Sequence, residues 1–494
     1  MKTEKLKQNV KGYVQQFEDG GLRLLRKGQK GVIHAIFSRF GLVLILLLLQ
    51  VGLLFSIFRW FGNLWPHYFG GSVVVTSAMV IYLLNSKMDN SAKITWMVVV
   101  AIAPVVGIPM FFYVKSNFGH NILRKRLLEL EDQLRGWLPQ SQKAVEQLKA
   151  LEPGAASLAK YLYGRGGGFP VYQNTAMTYF PGGEAKFEEL LRQLETAEEY
   201  IFVEYFIIDE GLMWGKILEV LARKALQGVD VRVMYDGTCE FSTLPRNYPR
   251  LLENLNIQCK VFSPVQPFVS THYNYRDHRK ILVIDGRVGF TGGVNLADEY
   301  INHIQKHGRW KDAAVMLEGE AVRSLTAQFL QMWGILKEPE YEQFLTRPIP
   351  VPENAKGVAA PYGDCPLDGE RVGEMVYIDL LNRARDYIHI MTPYLILDGE
   401  LETALKFAAE RGVDVHLILP GKPDKQFPYA LAKSHYSALL DSGVKISEWT
   451  PGFTHAKLVV MDGVEAVVGT INLDYRSLYL SLIHISEPTR RVVI

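Results

Sequence analysis

Residues 276–300 read RDHRKILVIDGRVGFTGGVNLADEY, and residues 455–480 repeat the same frame as HAKLVVMDGVEAVVGTINLDYRSLYL. In each stretch a histidine is followed by lysine two residues on and aspartate seven residues on: His278, Lys280 and Asp285, then His455, Lys457 and Asp462. Glycine follows each aspartate (Gly286, Gly463), a second glycine stands fourteen residues after each histidine (Gly292, Gly469), and asparagine stands seventeen after (Asn295, Asn472). One such match in a chain this long arises by chance on the order of a few per cent of the time at ordinary residue frequencies. Two matches with the same downstream offsets mark a duplication.

The offsets have a physical reading. Residues 281–284 and 458–461 are short apolar runs that read as buried strands, so His and Lys, two residues apart, share one face. Asp falls at the strand end, where the following Gly permits a tight turn, and each Asn falls where the next strand ends. Working outward, YIFVEYFII (200–208) resembles YIHIMTPYL (387–395), and GVDVRVMYDG (228–237) matches GVDVHLILPG (412–421). Strand, amphipathic helix and strand in that order predict a right-handed crossover and a mostly parallel sheet. The expected fold class is α/β, with two similar halves at 166–345 and 346–480. Packed about a pseudo-twofold axis, they would bring both His-Lys-Asn sets to one centre.

A phosphodiester needs that inventory. Its anionic oxygens call for fixed positive charge and donors, which Lys280, Lys457, Asn295 and Asn472 can supply as substrate-binding groups without a metal or other cofactor. One neutral imidazole can attack phosphorus and form a phosphohistidine. The other, protonated, can give its proton to the departing alkoxide and then take one from the incoming alcohol. Asp285 and Asp462 have two roles open to them, orienting the imidazoles or holding the motif strands.

The duplicated motif resembles the signature of the phospholipase D superfamily, and within it the chain is most similar to bacterial cardiolipin synthases. The stretches 276–300 and 469–480 carry the likeness, with the hydrophobic segments that precede the duplicated part. Trp310, Asp312, Gln328, Phe329 and Trp333 also look like that family. The resemblance covers about residues 41–480. It implies two phospholipase D-like α/β sandwich halves, with His278 as nucleophile and His455 as acid and base. It also implies a reaction in which two phosphatidylglycerols give cardiolipin and glycerol.

The flanks fit a lipid enzyme. Residues 41–58 (GLVLILLLLQVGLLFSIF) are uncharged and long enough to cross a bilayer core at 1.5 Å per residue. Segments 72–84 and 94–114 are also hydrophobic, and Pro104 and Pro109 can kink the second or make it dip. Basic residues flank this region on both sides, among them Arg23, Arg26, Lys27, Lys30 and Arg39 before and Lys115, Arg124, Lys125 and Arg126 after. Both flanks are therefore expected in the cytoplasm, with an even number of crossings, two being favoured. The expected organisation is a basic segment (1–40), a membrane region (41–114), a connecting helix at 122–151 with a flexible Gly-rich linker ending the stretch 115–165, and the two halves. The protein is expected to be integral to the cell membrane, with its catalytic part on the cytoplasmic side.

Composition narrows the alternatives. A net charge of +2 over 494 residues gives no basic excess for nucleic acid, which argues against a nuclease of this fold. Membrane phospholipids are the expected partners; a phospholipase using water as acceptor and a non-catalytic scaffold are the competing readings. Cys239, Cys259 and Cys365 are odd in number and far apart, as expected of buried thiols facing a reducing compartment. His303 and His307 have metal-pair spacing without a glutamate after the first or an evident third ligand, so no metal is expected. Glu204, on an apolar strand, is either a partner for a site histidine or a paired carboxylate. Residues 480–490 (LSLIHISEPTR) read as the translation of a transposase-type sequencing adapter. Native sequence is therefore expected to stop near Leu480, leaving 481–494 foreign where the family continues with a strand carrying an Asn-Phe-Glu-like run.

Overall fold

The computed structural model describes residues 65–86, 88, 90–115, 120–263, 276–335, 337–365, 368–474, 477–478 and 481–486, together with 15–16 and 22–23. The chain divides into one unit of residues 26–118 and another holding the remainder.

In the smaller unit, segment 72–84 lies in the helix Trp65–Leu84, and segment 94–114 is cut in two, Asn90–Ile102 and Pro104–Lys115. Pro104 lacks an N–H and opens the new helix, which is where proline is tolerated. Met79, Leu83, Val100 and Phe111 form the small core of these helices. Among the described residues no helix is both long and apolar enough to cross a membrane. The segment 41–58 lies outside the described residues.

The larger unit carries the duplication. Its first sheet has seven strands in the order Thr175–Phe180, Ala314–Gly319, Val288–Gly292, Lys280–Ile284, Tyr200–Tyr205, Asp230–Asp236, Gln258–Phe262. The second sheet repeats that order with Tyr362–Asp364, Ser481–Ser486, Glu465–Gly469, Leu458–Met461, Tyr387–Met391, Asp414–Pro420, Lys445–Trp449. The sheets are mixed, which corrects the expectation of a mostly parallel one. Along each seven-strand order it is the crossover-linked strands, such as Tyr200–Tyr205, Asp230–Asp236 and Gln258–Phe262, that run parallel. The motif strands return as hairpins and pair antiparallel, because a tight turn reverses the chain.

That turn explains the invariant spacing of Asp and Gly. Asp285 and Gly286 have φ of 52° and 65°, Asp462 and Gly463 of 52° and 67°. Two successive residues at positive φ make a type I′ turn, the form whose twist matches a two-stranded hairpin. The Asp285 carboxylate accepts from the backbone N–H of Glu198, Glu199 and Tyr200 at 2.8–2.9 Å, and Asp462 does the same with Arg385, Asp386 and Tyr387. Each aspartate thus ties its hairpin to the start of the neighbouring strand. Replacing Asp285 with alanine removes three charge-assisted bonds and puts a Cβ residue without a local acceptor at positive φ. The expected loss is about 3 kcal/mol of unfolding free energy, measurable by chemical denaturation.

Helices cover the sheets. Leu212–Leu226 buries Trp214, Ile217, Leu218 and Leu221 against one face of the first sheet, and Val322–Trp333 covers the other, with Phe329 stacked on Phe202 at 4.4 Å. The connecting helix expected at 122–151 is two, His120–Trp137 and Gln142–Leu151, and a third, Pro153–Gly164, follows. Ser141 caps the second through a bond from Ala144 N–H, and Glu152 with Pro153 starts the third, so local capping chemistry broke the helix. Nor is the Gly run a flexible linker. Gly166, Gly167 and Gly168 are buried, the last two at positive φ, and Gly168 N–H bonds the Leu162 carbonyl as the end of that helix.

Candidate active site

The two halves meet along two short parallel pairings: Arg309–Lys311 with Gly452–Thr454, and Arg276–Asp277 with the start of Ser481–Ser486. Each pairing delivers one motif histidine to the seam. His278 follows Asp277 directly, and His455 follows Thr454.

His455 is nearly buried, and its Nδ1 lies 2.8 Å from Asp312 Oδ2, a carboxylate of the other half with no exposed surface. Trp310 and Tyr300 flank the ring, each at 5.4 Å between centroids. Burial, with the Lys457 ammonium behind it, pushes His455 down to about 4 against the pull of Asp312. Burial alone would raise Asp312, but His455, their hydrogen bond and Lys457 together hold it below the ordinary carboxylate range.

His278 packs on Phe206 at 4.8 Å between rings. Burial and the charges of Lys280, Lys457 and His455 drive it well below the usual imidazole value, and a hydrogen bond to the Thr470 backbone acts the other way. A neutral ring with a free lone pair is what a nucleophile requires.

The lysines stand behind the rings. Lys280 Nζ donates to the His278 carbonyl at 2.6 Å and sits over Phe206, while Lys457 Nζ donates to the His455 carbonyl. Both are buried. Lys457 is lowered to about 7 by burial, against the pull of Asp312; Lys280 is lowered by burial and then by Lys457. Two such ammonium groups, within each other's field, would be stabilised by an anion at the seam.

Asn295 and Asn472 occupy matching places after the second motif strand. Asn295 accepts from Ile207 N–H at 3.2 Å and donates to Tyr300 at 2.7 Å; Asn472 donates to Ser477 at 2.8 Å and has its buried Oδ1 unpartnered among the described residues. Asn295 thus holds the loop and the Tyr300 ring beside His455, whereas the Asn472 carbonyl oxygen is still to be satisfied.

Asp285 and Asp462 do not join this group. A strand rises about 3.3 Å per residue, so seven residues put each aspartate on the order of 20 Å from its own histidine. Of the two roles open to them, the bonds they make are those of strand anchors, so the motif residues that gather at the seam are His278, Lys280, His455 and Lys457. Glu204 pairs with the buried Arg279 at 3.0 Å rather than with an imidazole. Glu374, Asp398 and Glu400 place ligand atoms within 4.8 Å of one another, but Arg371 already pairs with Glu374 at 2.8 Å. The seam itself offers imidazoles and ammonium groups, a donor set that suits an anion.

Sequence reasoning missed Lys186. Its Nζ, lowered to about 7 by burial, donates to Tyr205 at 3.1 Å and to the Val294 carbonyl at 3.3 Å, within the field of Asp312. A signal was there to read: Lys186 stands four residues before Leu190 on the buried stripe of the helix Gly183–Leu194.

Two duplicated α/β halves, each lending a His-x-Lys pair to a shared seam, define a phospholipase D-like protein. The particular family follows from comparison with known proteins: a family model described as "Cardiolipin synthase, PLD-like domain" matches residues 190–333 and 377–484. A cardiolipin synthase of Geobacillus kaustophilus is 35% identical over 415 residues, covering 83% of this chain and 81% of that protein. An uncharacterized protein of Streptococcus mutans is 56% identical over 401 residues, covering 81% of this chain and 87% of the other. The chain belongs to the cardiolipin synthase family. Among solved structures, phosphatidylserine synthase of Haemophilus influenzae shares the fold with a TM-score of 0.51 at 14% identity, over 68% of this chain and 86% of that one.

Proposed function

We propose that this protein makes cardiolipin by transferring a phosphatidyl group between two phosphatidylglycerol molecules. The observation that carries the reading is the seam, where His278 and His455, one from each half and within each other's field, are backed by two buried lysines in a chain of this family. His278, kept neutral, attacks the donor phosphorus, and His455 protonates the glycerol alkoxide that leaves. His455 then takes the proton from a hydroxyl of the second phosphatidylglycerol, whose oxygen displaces His278 from phosphorus. Lys280 and Lys457 balance the charge of the phosphoryl oxygens, and Asp312 balances the imidazolium.

The reading includes a membrane address, with the cytoplasmic side favoured for the catalytic halves. Support comes from the uncharged run 41–58 and from large apolar side chains left exposed in the smaller unit, such as Val74 at 68% and Ile102 at 79%.

The experiment is lipid mass spectrometry on membranes of a host lacking cardiolipin that expresses this chain. Cardiolipin that disappears in His278→Ala is the expected result; phosphatidic acid in its place would replace transfer with hydrolysis. The lysines add a pH signature. Lys457 loses its proton as pH rises through about 7, so kcat/KM is expected to fall on that limb. Lys457→Arg, whose charge does not titrate in this range, should move the limb to higher pH. An unmoved limb would assign it to another group.

A further inference from the structure

Two loops meet beside the seam and carry side chains that the reaction does not use. Residues 303–309 and 421–427 both pack on the strand Gly452–Thr454: Arg309 pairs with Gly452, and Lys422 N–H bonds the Gly452 carbonyl at 3.1 Å. His307 and Tyr394 lie against Phe453, each at 6.4 Å between ring centroids, and Phe453 stands 6.0 Å from the His455 ring. The loops therefore form a rim one aromatic side chain away from a reacting imidazole. Two large apolar side chains leave this rim, Phe427 at 75% exposure and Ile304 at 43%. Lys306, Arg309, Lys422 and Lys425 are exposed around them. Acids offset part of that charge: Asp209 lies in the fields of Lys306 and Glu299, and Asp424 lies 3.6 Å from Lys425. Asp424 turns inward, accepting from the Tyr394 hydroxyl at 2.7 Å, and its charge reaches Tyr300 and Lys457. The charge left on the rim is positive but small. Its apolar side chains therefore set how firmly a partner is held, and its cations set which partner.

We infer that this rim docks on an anionic bilayer, with Phe427 and Ile304 entering the acyl boundary and the basic side chains lying among the lipid phosphates. The inference rests on the reading of the seam as a site for phospholipids. The phosphorus of a membrane lipid lies at the level of the headgroups, so the seam reaches it when the rim is flush with that layer. Phe427 stands in the first turn of the helix Gln426–Asp441, whose N-cap, Lys425, holds its ammonium over the Tyr394 ring at 5.5 Å. An apolar ring beside long cationic side chains suits the interface: the ring leaves water, the lysine stems lie along apolar surface, and the ammonium groups stay with the phosphates. The other end of the same sheet supplies a contrast. Phe407, 54% exposed, lies in the last turn of Gly399–Glu410, the helix that leads back to the start of the strand Asp414–Pro420. Arg411 covers its ring at 5.4 Å. Phe427 follows the end of that strand, so the two exposed phenylalanines sit at opposite ends of the sheet, and Phe427 is the one beside the reacting groups.

The test uses the full chain in phosphatidylglycerol vesicles, with a nitroxide attached through Phe427→Cys or, as a control, Phe407→Cys. The signal of the parent, treated identically, is subtracted to remove labelling at Cys239, Cys259 and Cys365. Both phenylalanines are exposed, so neither substitution opens the core. Relaxation by oxygen and by a water-soluble nickel chelate is expected to place position 427 inside the bilayer and position 407 in water, with 427 shallower in phosphatidylcholine. A label at 427 that stays in water in both lipids, or equal immersion at 407, would overturn the inference. Immobilisation of the 427 label in detergent that grows with protein concentration would make the rim a protein contact and overturn it too. Phe427→Ala combined with Ile304→Ala should lower kcat/KM on phosphatidylglycerol bilayers about tenfold, through KM, the scale of withdrawing part of two apolar side chains from an acyl phase. Turnover of a soluble p-nitrophenyl diester should not change, and equal losses on both substrates would also overturn the docking role. An immersed 427 with no cardiolipin formed would uphold the docking surface and remove the proposed reaction instead.

Discussion

His278→Ala is expected to reduce kcat at least about ten-thousand-fold and to leave no covalent phosphoenzyme, because removing one member of a nucleophile and base pair costs as much as removing the pair. His455→Ala is expected to lose the lipid reaction by a similar factor for a different reason. Without its imidazolium the glycerol alkoxide must depart unprotonated, yet His278 still has its lone pair. A phosphodiester whose leaving group needs no proton, such as a p-nitrophenyl ester, therefore separates the two variants. His455→Ala should give a burst of p-nitrophenol, one equivalent per site, followed by slow turnover, and His278→Ala should give none. The reverse pattern would exchange the roles of the two histidines. Equal bursts would assign the covalent intermediate to a nucleophile other than these two histidines. The present geometry favours the order given: His455 holds a carboxylate on Nδ1 that can stabilise its charged form, whereas burial, and then the positive charge of Lys280 and Lys457, keep His278 neutral.

The duplication was legible because its offsets are set by backbone geometry. His-x-Lys shares a face since strands alternate sides, and Asp-Gly marks a turn since it needs two positive φ values. The direction of the remaining strands was not legible. A crossover helix announces itself by period, but a return hairpin looks the same from either sheet type, and so the sheet was read as more parallel than it is. The connecting region failed for a related reason: Ser141 and Glu152 are single-residue caps within a charged amphipathic stretch, and the buried Gly run has the composition of a linker. Within the site, the lysines and histidines could be placed by spacing alone, while the roles of the acids could not. Asp285 shares a motif with His278 and ends far from it; Asp312 lies outside the motif and meets the histidine of the other half. Contacts that cross a pseudo-twofold seam leave no local spacing to read.

Asp312→Asn isolates that cross-seam contact, and kcat is expected to fall about 10²- to 10⁴-fold, as when an amide replaces the carboxylate behind a catalytic imidazole. Asparagine keeps the volume but can no longer stabilise an imidazolium, and His455, already lowered to about 4 by its surroundings, drops further. The loss should therefore concentrate in the step that needs a proton, and the p-nitrophenyl burst should survive. A second consequence reaches beyond His455. Asp312 is a shared counter-ion whose field raises Lys186, Lys280 and Lys457 against the burial that lowers them. With the charge removed, each ammonium gives up its proton more readily, so the alkaline limb of kcat/KM near 7 is expected to move to lower pH. The two effects have opposite remedies. A better leaving group repairs the first and leaves the second, and lower pH repairs the second and leaves the first. A variant that lost activity through disordered packing alone would respond to neither.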